Sequence, residues 1–129
     1  MSDFGEKIQS VFGGLRKNVK RRLATDDHRD ASRCLELGRK KYNEKKYKEA
    51  LKLFEEAVDA DGTYPLAHYY LGLALYKRDD SEGAIRAWNR VLMLDKDCDV
   101  ALKANKKLEQ HARRAGRTIE ALKDRLKGP

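Results

Sequence analysis

The sequence predicts an all-α protein built as a solenoid of helix–turn–helix units. The main observation is an internal repeat, because Leu37-Gly38 recurs 34 residues later as Leu71-Gly72, and Phe54 recurs as Trp88. Apolar residues between these positions follow the spacing of an amphipathic helix, without the alternation of a half-buried strand. A charged fraction of 39%, with only two prolines in 129 residues, agrees with a helical chain.

Two clear units, at about residues 31–64 and 65–98, are predicted to hold two helices each. The four helices are expected at about residues 27–43, 47–60, 64–77 and 81–94. Gly62 is expected to adopt the left-handed conformation that ends the second helix. Thr63 is expected to cap the third helix, and Pro65 lies in its first turn, where no amide hydrogen is needed.

A third, degenerate unit is predicted over about residues 99–128. Its first helix covers about residues 98–113, and residues 116–122 echo residues 45–51 of the first unit. A glycine inside a helix costs roughly 1 kcal/mol relative to alanine, so we expect the chain to turn near Ala115-Gly116. The prediction is therefore a C-terminal capping helix pair, and the alternative is one long helix that contains Gly116.

Residues 1–26 are predicted to form a basic amphipathic helix and a linker, and residues 27–129 the repeat domain. Seven apolar side chains share one helical face: Phe4, Ile8, Val11, Phe12, Leu15, Val19 and Leu23. Three glycines make this helix marginal by itself, so it needs a surface on which to fold. Its own repeats, another protein and an anionic membrane all remain open as that surface.

Charge is concentrated at the two ends of the chain. The net charge is +8, of which residues 1–24 carry +4, residues 25–98 carry −1 and residues 99–129 carry +5. Basic ends of this kind indicate contact with something anionic, so nucleic-acid binding or peripheral membrane binding is the alternative function. The body holds no basic recognition helix, which counts against nucleic acid.

Composition also bears on the compartment. No apolar run approaches the roughly 18 residues that a membrane span needs, and the N-terminal stretch has no continuous apolar core for a secretory signal. We interpret Cys34 and Cys98 as small apolar residues in a reducing compartment rather than as a disulfide. A cytoplasmic protein is expected, with membrane association only through the N-terminal helix.

The repeated positions resemble the tetratricopeptide repeat family, in which a 34-residue helix–turn–helix unit carries Leu-Gly and later Ala and aromatic residues. The matching residues are Leu37-Gly38, Ala50, Phe54 and Ala57 in the first unit, and Leu71-Gly72, Ala84 and Trp88 in the second. Cys34 and His68 stand where the family has Trp, and Gly62 and Lys96 stand where it closes with Pro. The resemblance implies stacked helix pairs with a concave face that binds a peptide or helix of another protein.

The resemblance also implies which residues line that face. They are Leu35, Arg39, Tyr42, Leu66, Tyr69, Leu73, Tyr76, Lys77, Lys103 and Lys107. An aromatic and aliphatic floor with basic edges suits a peptide that carries apolar anchors and a carboxylate. Tyrosine and arginine are enriched at binding hot spots.

Catalysis finds little support in the sequence. His28, His68 and His111 lie in different units, and none has Cys or another His at metal-ligand spacing. There is no glycine-rich phosphate loop and no nucleophile elbow. We therefore expect a non-enzymatic adaptor with no cofactor and no metal, in which the N-terminal helix localises the protein or closes the groove. Self-association remains open.

Overall fold

The computed structural model describes residues 26–127, and within this range the chain forms five helices and no strand. Helix α1 covers residues 26–43. The others are α2 (Tyr47–Ala60), α3 (Pro65–Lys77), α4 (Ser81–Leu94) and α5 (Asp99–Leu126). Short turns make consecutive helices antiparallel neighbours. The all-α helical repeat fold is thereby confirmed, whereas the N-terminal helix expected over residues 1–26 falls almost wholly outside the described residues.

Two glycines allow the helices of each pair to approach closely. A Cβ atom on Gly38 would lie 2.5 Å from Cε1 of Phe54, and one on Gly72 would lie closer still to Nε1 of Trp88. Both aromatic side chains are buried, with exposed fractions of 0% and 2%. The repeated Leu-Gly and the repeated aromatic are thus two halves of one contact between the helices of a pair.

The core consists of two clusters that α3 joins. The first is built around Leu35, Phe54 and the alanines of α2, and the second around Trp88, Val91 and the alanines of α5. Tyr70 of α3 packs against both clusters. Each helix pair buries its apolar stripe only against the next pair, as expected for a solenoid.

The 34-residue period is visible in the backbone of the turns. Lys45 and Asp79 hold the same position in the α1–α2 and α3–α4 turns, and both have positive φ, at 63° and 65°. Asp80 then caps α4, because its Oδ1 accepts a hydrogen bond from the amide of Gly83 at 2.9 Å. The left-handed positions of this fold therefore lie inside the repeats, on residues other than glycine.

The predicted roles of Gly62 and Thr63 are wrong. Gly62 does not adopt the left-handed conformation, and α2 instead ends on Asp61 with an extended φ of −142°. Oδ1 of Asp61 accepts from both the amide and the hydroxyl of Thr63, at 3.0 and 2.6 Å. Tyr64 is the N-cap residue of α3 and forms no side-chain cap, so Thr63 lies one residue before the cap position and does not cap the helix.

The predicted C-terminal helix pair is also wrong, since α5 is one helix of 28 residues that passes through Gly116. The physical reason is the composition of the α5 face on which a returning helix would have to pack. Lys106 stands 34 residues after Gly72, and Glu109 stands 34 residues after Leu75. A helix folded back on α5 would meet charged side chains where α4 meets glycine and leucine. Burying those charges would cost more than the roughly 1 kcal/mol of a glycine in a straight helix.

Gly72→Ala tests the close approach within a pair. The added methyl group must displace the buried Trp88 side chain, so we expect a loss of about 1–3 kcal/mol in the free energy of unfolding. Gly116→Ala is the matched control, because a Cβ atom there meets nothing within 4 Å. It should raise stability by about 0.5–1 kcal/mol through helix propensity. Urea unfolding followed by circular dichroism measures both, and equal effects of the two substitutions would contradict this account.

Asp61 gives stability a dependence on pH. Hydrogen bonds from Thr63, with a smaller contribution from His28, hold the pKa of the Asp61 carboxyl below its usual range. The folded state favours the ionised form, so this stabilisation is present above the unfolded pKa of about 3.9 and is lost as pH falls through the lower folded pKa.

Asp61→Asn should therefore destabilise the protein by about 1–2 kcal/mol at pH 7. The difference from the wild type should shrink as the pH falls below about 4. Asp59→Asn removes the same charge from an exposed position and serves as the control. Urea unfolding at several pH values measures the differences, and a constant difference between Asp61→Asn and wild type across this range would refute the assignment.

Candidate functional site

A cavity of about 190 Å³ opens between α1, α3, α4 and α5. It is lined by residues from all four of these helices: Tyr42, Leu73, Tyr76, Lys77, Trp88, Lys107, Gln110, His111 and Arg114. We call this surface the tyrosine groove. Its lining comes mainly from the first helix of each pair and from α5, so the groove follows the face on which the concave side of the solenoid was expected.

The floor of the groove is aromatic. The rings of Tyr76 and Trp88 lie with their centroids 6.1 Å apart. Tyr42 meets Tyr47 of α2 edge to face at 5.2 Å, which extends the aromatic surface beyond the groove toward the first pair. Aromatic rings offer large apolar area and little conformational freedom, so such a floor suits an apolar anchor side chain.

The rim of the groove is basic. Lys77 Nζ lies 5.8 Å from the centroid of the Tyr47 ring, and Arg114 Cζ lies 5.8 Å from that of Tyr76. Arg114 also donates a hydrogen bond to the Tyr76 hydroxyl. No Asp or Glu is among the lining residues. Within residues 26–127, neither these two cations nor Lys107 forms an ion pair. The rim can therefore accept an anion.

The phenol of Tyr42 in the groove and that of Tyr69 beside it have raised pKa values. Burial raises the pKa of Tyr42, and the neighbouring phenols of Tyr47, Tyr69 and Tyr70 raise it further. Burial likewise raises the pKa of Tyr69. Neutral hydroxyls remain hydrogen-bond donors, so the groove combines donors and cations and presents no anion of its own.

Half of the predicted lining residues meet in the groove. These five are Tyr42, Leu73, Tyr76, Lys77 and Lys107. Arg39 lies elsewhere, with its guanidinium 5.0 Å from the centroid of the Tyr70 ring. Leu66 is half-buried against the first core cluster, and Lys103 is exposed on α5 but does not line the groove.

Two of the predicted lining residues belong to the core instead. Leu35 is only 2% exposed and packs in the first cluster, and Tyr69 is 9% exposed and packs in the second. The peptide carbonyl of Tyr69 accepts a hydrogen bond from Nε1 of Trp88 at 3.3 Å, within the second pair. Neither side chain is available to line a binding surface, so these two assignments are corrected.

Sequence reasoning missed Gln110, His111 and Arg114. The predicted end of the helix at residue 113 removed Arg114 from consideration, whereas the straight α5 carries all three alongside the groove. The signal was available in the spacing of Lys107, His111 and Arg114, which share a helical face at offsets of 0, 4 and 7. The single-helix alternative would have placed Arg114 on the same face as Lys107 and His111.

Other predicted features give less to this site. The amphipathic positions between Phe4 and Leu23 lie outside the described residues. In the described part, Cys34 and Cys98 are free thiols, and no three His, Cys, Asp or Glu residues gather as a metal site. None of the described helices is both long and apolar enough to cross a membrane. Burial raises the pKa of the Cys34 thiol.

Comparison with known families gives one match. The sequence model of the tetratricopeptide repeat matches residues 41–106, just over half of the chain. The matched range starts near the end of α1 and ends within the first half of α5. It therefore includes Gly72 and Trp88, the glycine and the aromatic residue that meet within the second pair. No curated protein matches the chain.

Proposed function

Because the chain belongs to the tetratricopeptide repeat family, we propose that it is a non-catalytic adaptor whose tyrosine groove binds a peptide or helix of another protein. Tetratricopeptide repeats generally mediate protein–protein interactions. The observation that supports the groove as the site is its composition, since an aromatic floor adjoins three cations without a carboxylate in the lining.

The chemistry of the groove defines the ligand. An apolar side chain would pack against Leu73 and the ring of Tyr76, both of which line the cavity. A carboxylate beside that anchor would receive charge-assisted hydrogen bonds from Lys107 and Arg114, which are stronger than neutral ones. The proposed ligand is therefore a segment in which an apolar residue neighbours an acidic residue or a C-terminal carboxylate.

The N-terminal segment has a second role in this proposal. Residues 1–26 would localise the adaptor or extend its interface, and residues 27–129 would form the binding domain. The apolar face between Phe4 and Leu23 supports burial of this segment on a surface, and the +4 charge of residues 1–24 favours an anionic surface over the groove with its basic rim.

Vesicle co-sedimentation separates these two roles. The full chain is compared with a Val11→Glu/Leu15→Glu variant, using neutral and anionic vesicles at low and high salt. Binding of the wild type to anionic vesicles only, lost in the variant, identifies a peripheral membrane anchor. If neither chain binds either kind of vesicle, the segment is assigned to a protein surface instead.

Trp88 provides a direct assay of the groove, because it is the only tryptophan of the chain and lies in the cavity lining. We expect acetylated pentapeptides with adjacent Leu and Glu to change its emission on titration. The same peptides with Gln in place of Glu should bind roughly tenfold more weakly or worse, since a hydrogen bond to a charged group contributes about 1.5–3 kcal/mol.

Lys107→Glu should weaken binding of the Glu peptides by a similar factor, because it places a carboxylate on the rim. Lys103→Glu is the matched control, since Lys103 is exposed on the same helix and does not line the groove. Equal affinity for the Glu and Gln peptides, or equal effects of the two substitutions, would refute the proposed carboxylate site.

A further inference from the structure

The C-terminal half of α5 projects beyond the rest of the fold. Helix α5 has 28 residues and α4, against which it packs, has 14. At 1.5 Å per residue the two helices are about 42 and 21 Å long, so about half of α5 extends past the end of α4. Every residue from 112 to 127 is exposed accordingly.

An apolar stripe continues along this projecting half. In the first half of α5, Ala101, Ala104 and Leu108 pack into the second core cluster. The same face then carries Ala115, Ile119, Leu122 and Leu126, at spacings of 4, 3 and 4 residues. We call these four residues the α5 stripe. Ile119, Leu122 and Leu126 are 53%, 52% and 87% exposed. No described part of the chain covers them.

The flanks of the α5 stripe are basic. Between residues 113 and 127 the helix carries six Lys or Arg and two acidic residues. Lys123 and Lys127 lie on one side of the stripe, and Arg125 lies on the other, by helical geometry. None of these cations forms an ion pair within the described range. An occupant with acidic flanks would therefore be complementary in charge.

Two occupants that this protein itself could supply, a second copy of the stripe and residues 1–24, fit the α5 stripe poorly. A second copy of the stripe would bring two basic helices together, and like charges that face each other destabilise a helix pair. Residues 1–24 are also basic and join α1 at the far end of the body. Near the start of α1, Nδ1 of His28 lies 2.8 Å from Oδ2 of Asp61 at the end of α2. The α5 stripe extends from the opposite end of the bundle.

A flat membrane fits poorly as well. The α5 stripe shares its face with Ala101 and Ala104, which are fully buried against the body. The body therefore lies on the same side of α5 as the stripe, so it would hold the flat surface of a bilayer away from the stripe. The projecting half of α5 and the end of the body together form a step. A single helix whose axis lies about 8–10 Å from the axis of α5 fits into this step.

We propose that the α5 stripe is a second docking surface, which binds an amphipathic helix with acidic flanks from another protein. The partner helix would lie in the step beside residues 115–126 and continue the packing that α4 provides to the first half of α5. Its apolar residues would cover Ile119 and Leu122, and its carboxylates would face the flanking lysines and arginine. This site is separate from the tyrosine groove and does not depend on it.

The test titrates the full chain with a fluorescently labelled two-heptad peptide that has Leu at the a and d positions and Glu at the flanks. We expect saturable binding that weakens at high salt. The variant Ile119→Gln/Leu122→Gln should reduce affinity by roughly tenfold or more. Leu102→Gln is the matched control, because Leu102 is a 63% exposed leucine of the same helix that lies off the stripe. It should leave affinity unchanged.

Further arms identify the occupant. Because this peptide also carries Leu beside Glu, Lys107→Glu removes its binding to the groove and leaves only binding to the α5 stripe. The peptide should still bind Lys107→Glu, and adding Ile119→Gln/Leu122→Gln should weaken that remaining binding, whereas complete loss of binding in Lys107→Glu would assign the peptide to the groove and overturn the proposal. The proposal is overturned if the peptide does not bind, or if a version of the peptide with Lys at the flanks binds equally well. It is also overturned if Ile119→Gln/Leu122→Gln and Leu102→Gln change the affinity equally. It is also overturned if analytical sedimentation shows that the wild type is a dimer and that Ile119→Gln/Leu122→Gln, but not Leu102→Gln, dissociates it. The same holds if the wild type and Leu102→Gln bind anionic vesicles and Ile119→Gln/Leu122→Gln does not.

Val11→Glu/Leu15→Glu in the full chain examines the N-terminal segment as occupant. Under the proposal this variant binds the acidic peptide as the wild type does. A clear gain in affinity would show that residues 1–25 normally occupy the stripe, and would overturn the proposal.

Discussion

The contact between a glycine of one helix and an aromatic side chain of the next is the constraint on which the rest of the structure depends. Gly72 leaves room for the indole of Trp88, whose N–H donates to the carbonyl of Tyr69. The same indole lies near the ring of Tyr76 and forms part of the groove. One buried contact therefore holds the second helix pair together and also supplies the floor of the candidate binding site.

The loss of this contact in the third unit explains the shape of the C-terminal region. Lys106 and Glu109 take the places of Gly72 and Leu75, so a helix that folded back on that face of α5 would meet charged side chains. The chain instead continues straight, and this has two consequences. It brings Arg114 to the rim of the groove, and it leaves Ile119 and Leu122 without a covering helix in the described structure.

Sequence reasoning succeeded where a residue type serves the same purpose in every unit. The bounds of α2 and α4 and the burial of Phe54 and Trp88 follow from the repeat, because polar turns and apolar stripes recur with it. It failed where the structure depends on packing between helices that the residue type alone does not reveal. Gly116 suggests a turn, but whether the chain turns depends on whether α5 offers an apolar face to pack against. Tyr69 suggests a binding residue, but its burial depends on how closely α3 approaches α4.

The two proposed surfaces use different faces of α5, which determines whether they can act together. Lys107, His111 and Arg114 face the groove, whereas the α5 stripe continues the face that packs on the body. These faces are about a quarter of a turn apart by helical geometry. Arg114 binds Tyr76 at the point where α5 leaves the body, so the projecting half is anchored at its base. A ligand in the groove and a helix on the stripe would touch different side chains, and the chain could therefore join two partners through one rigid helix.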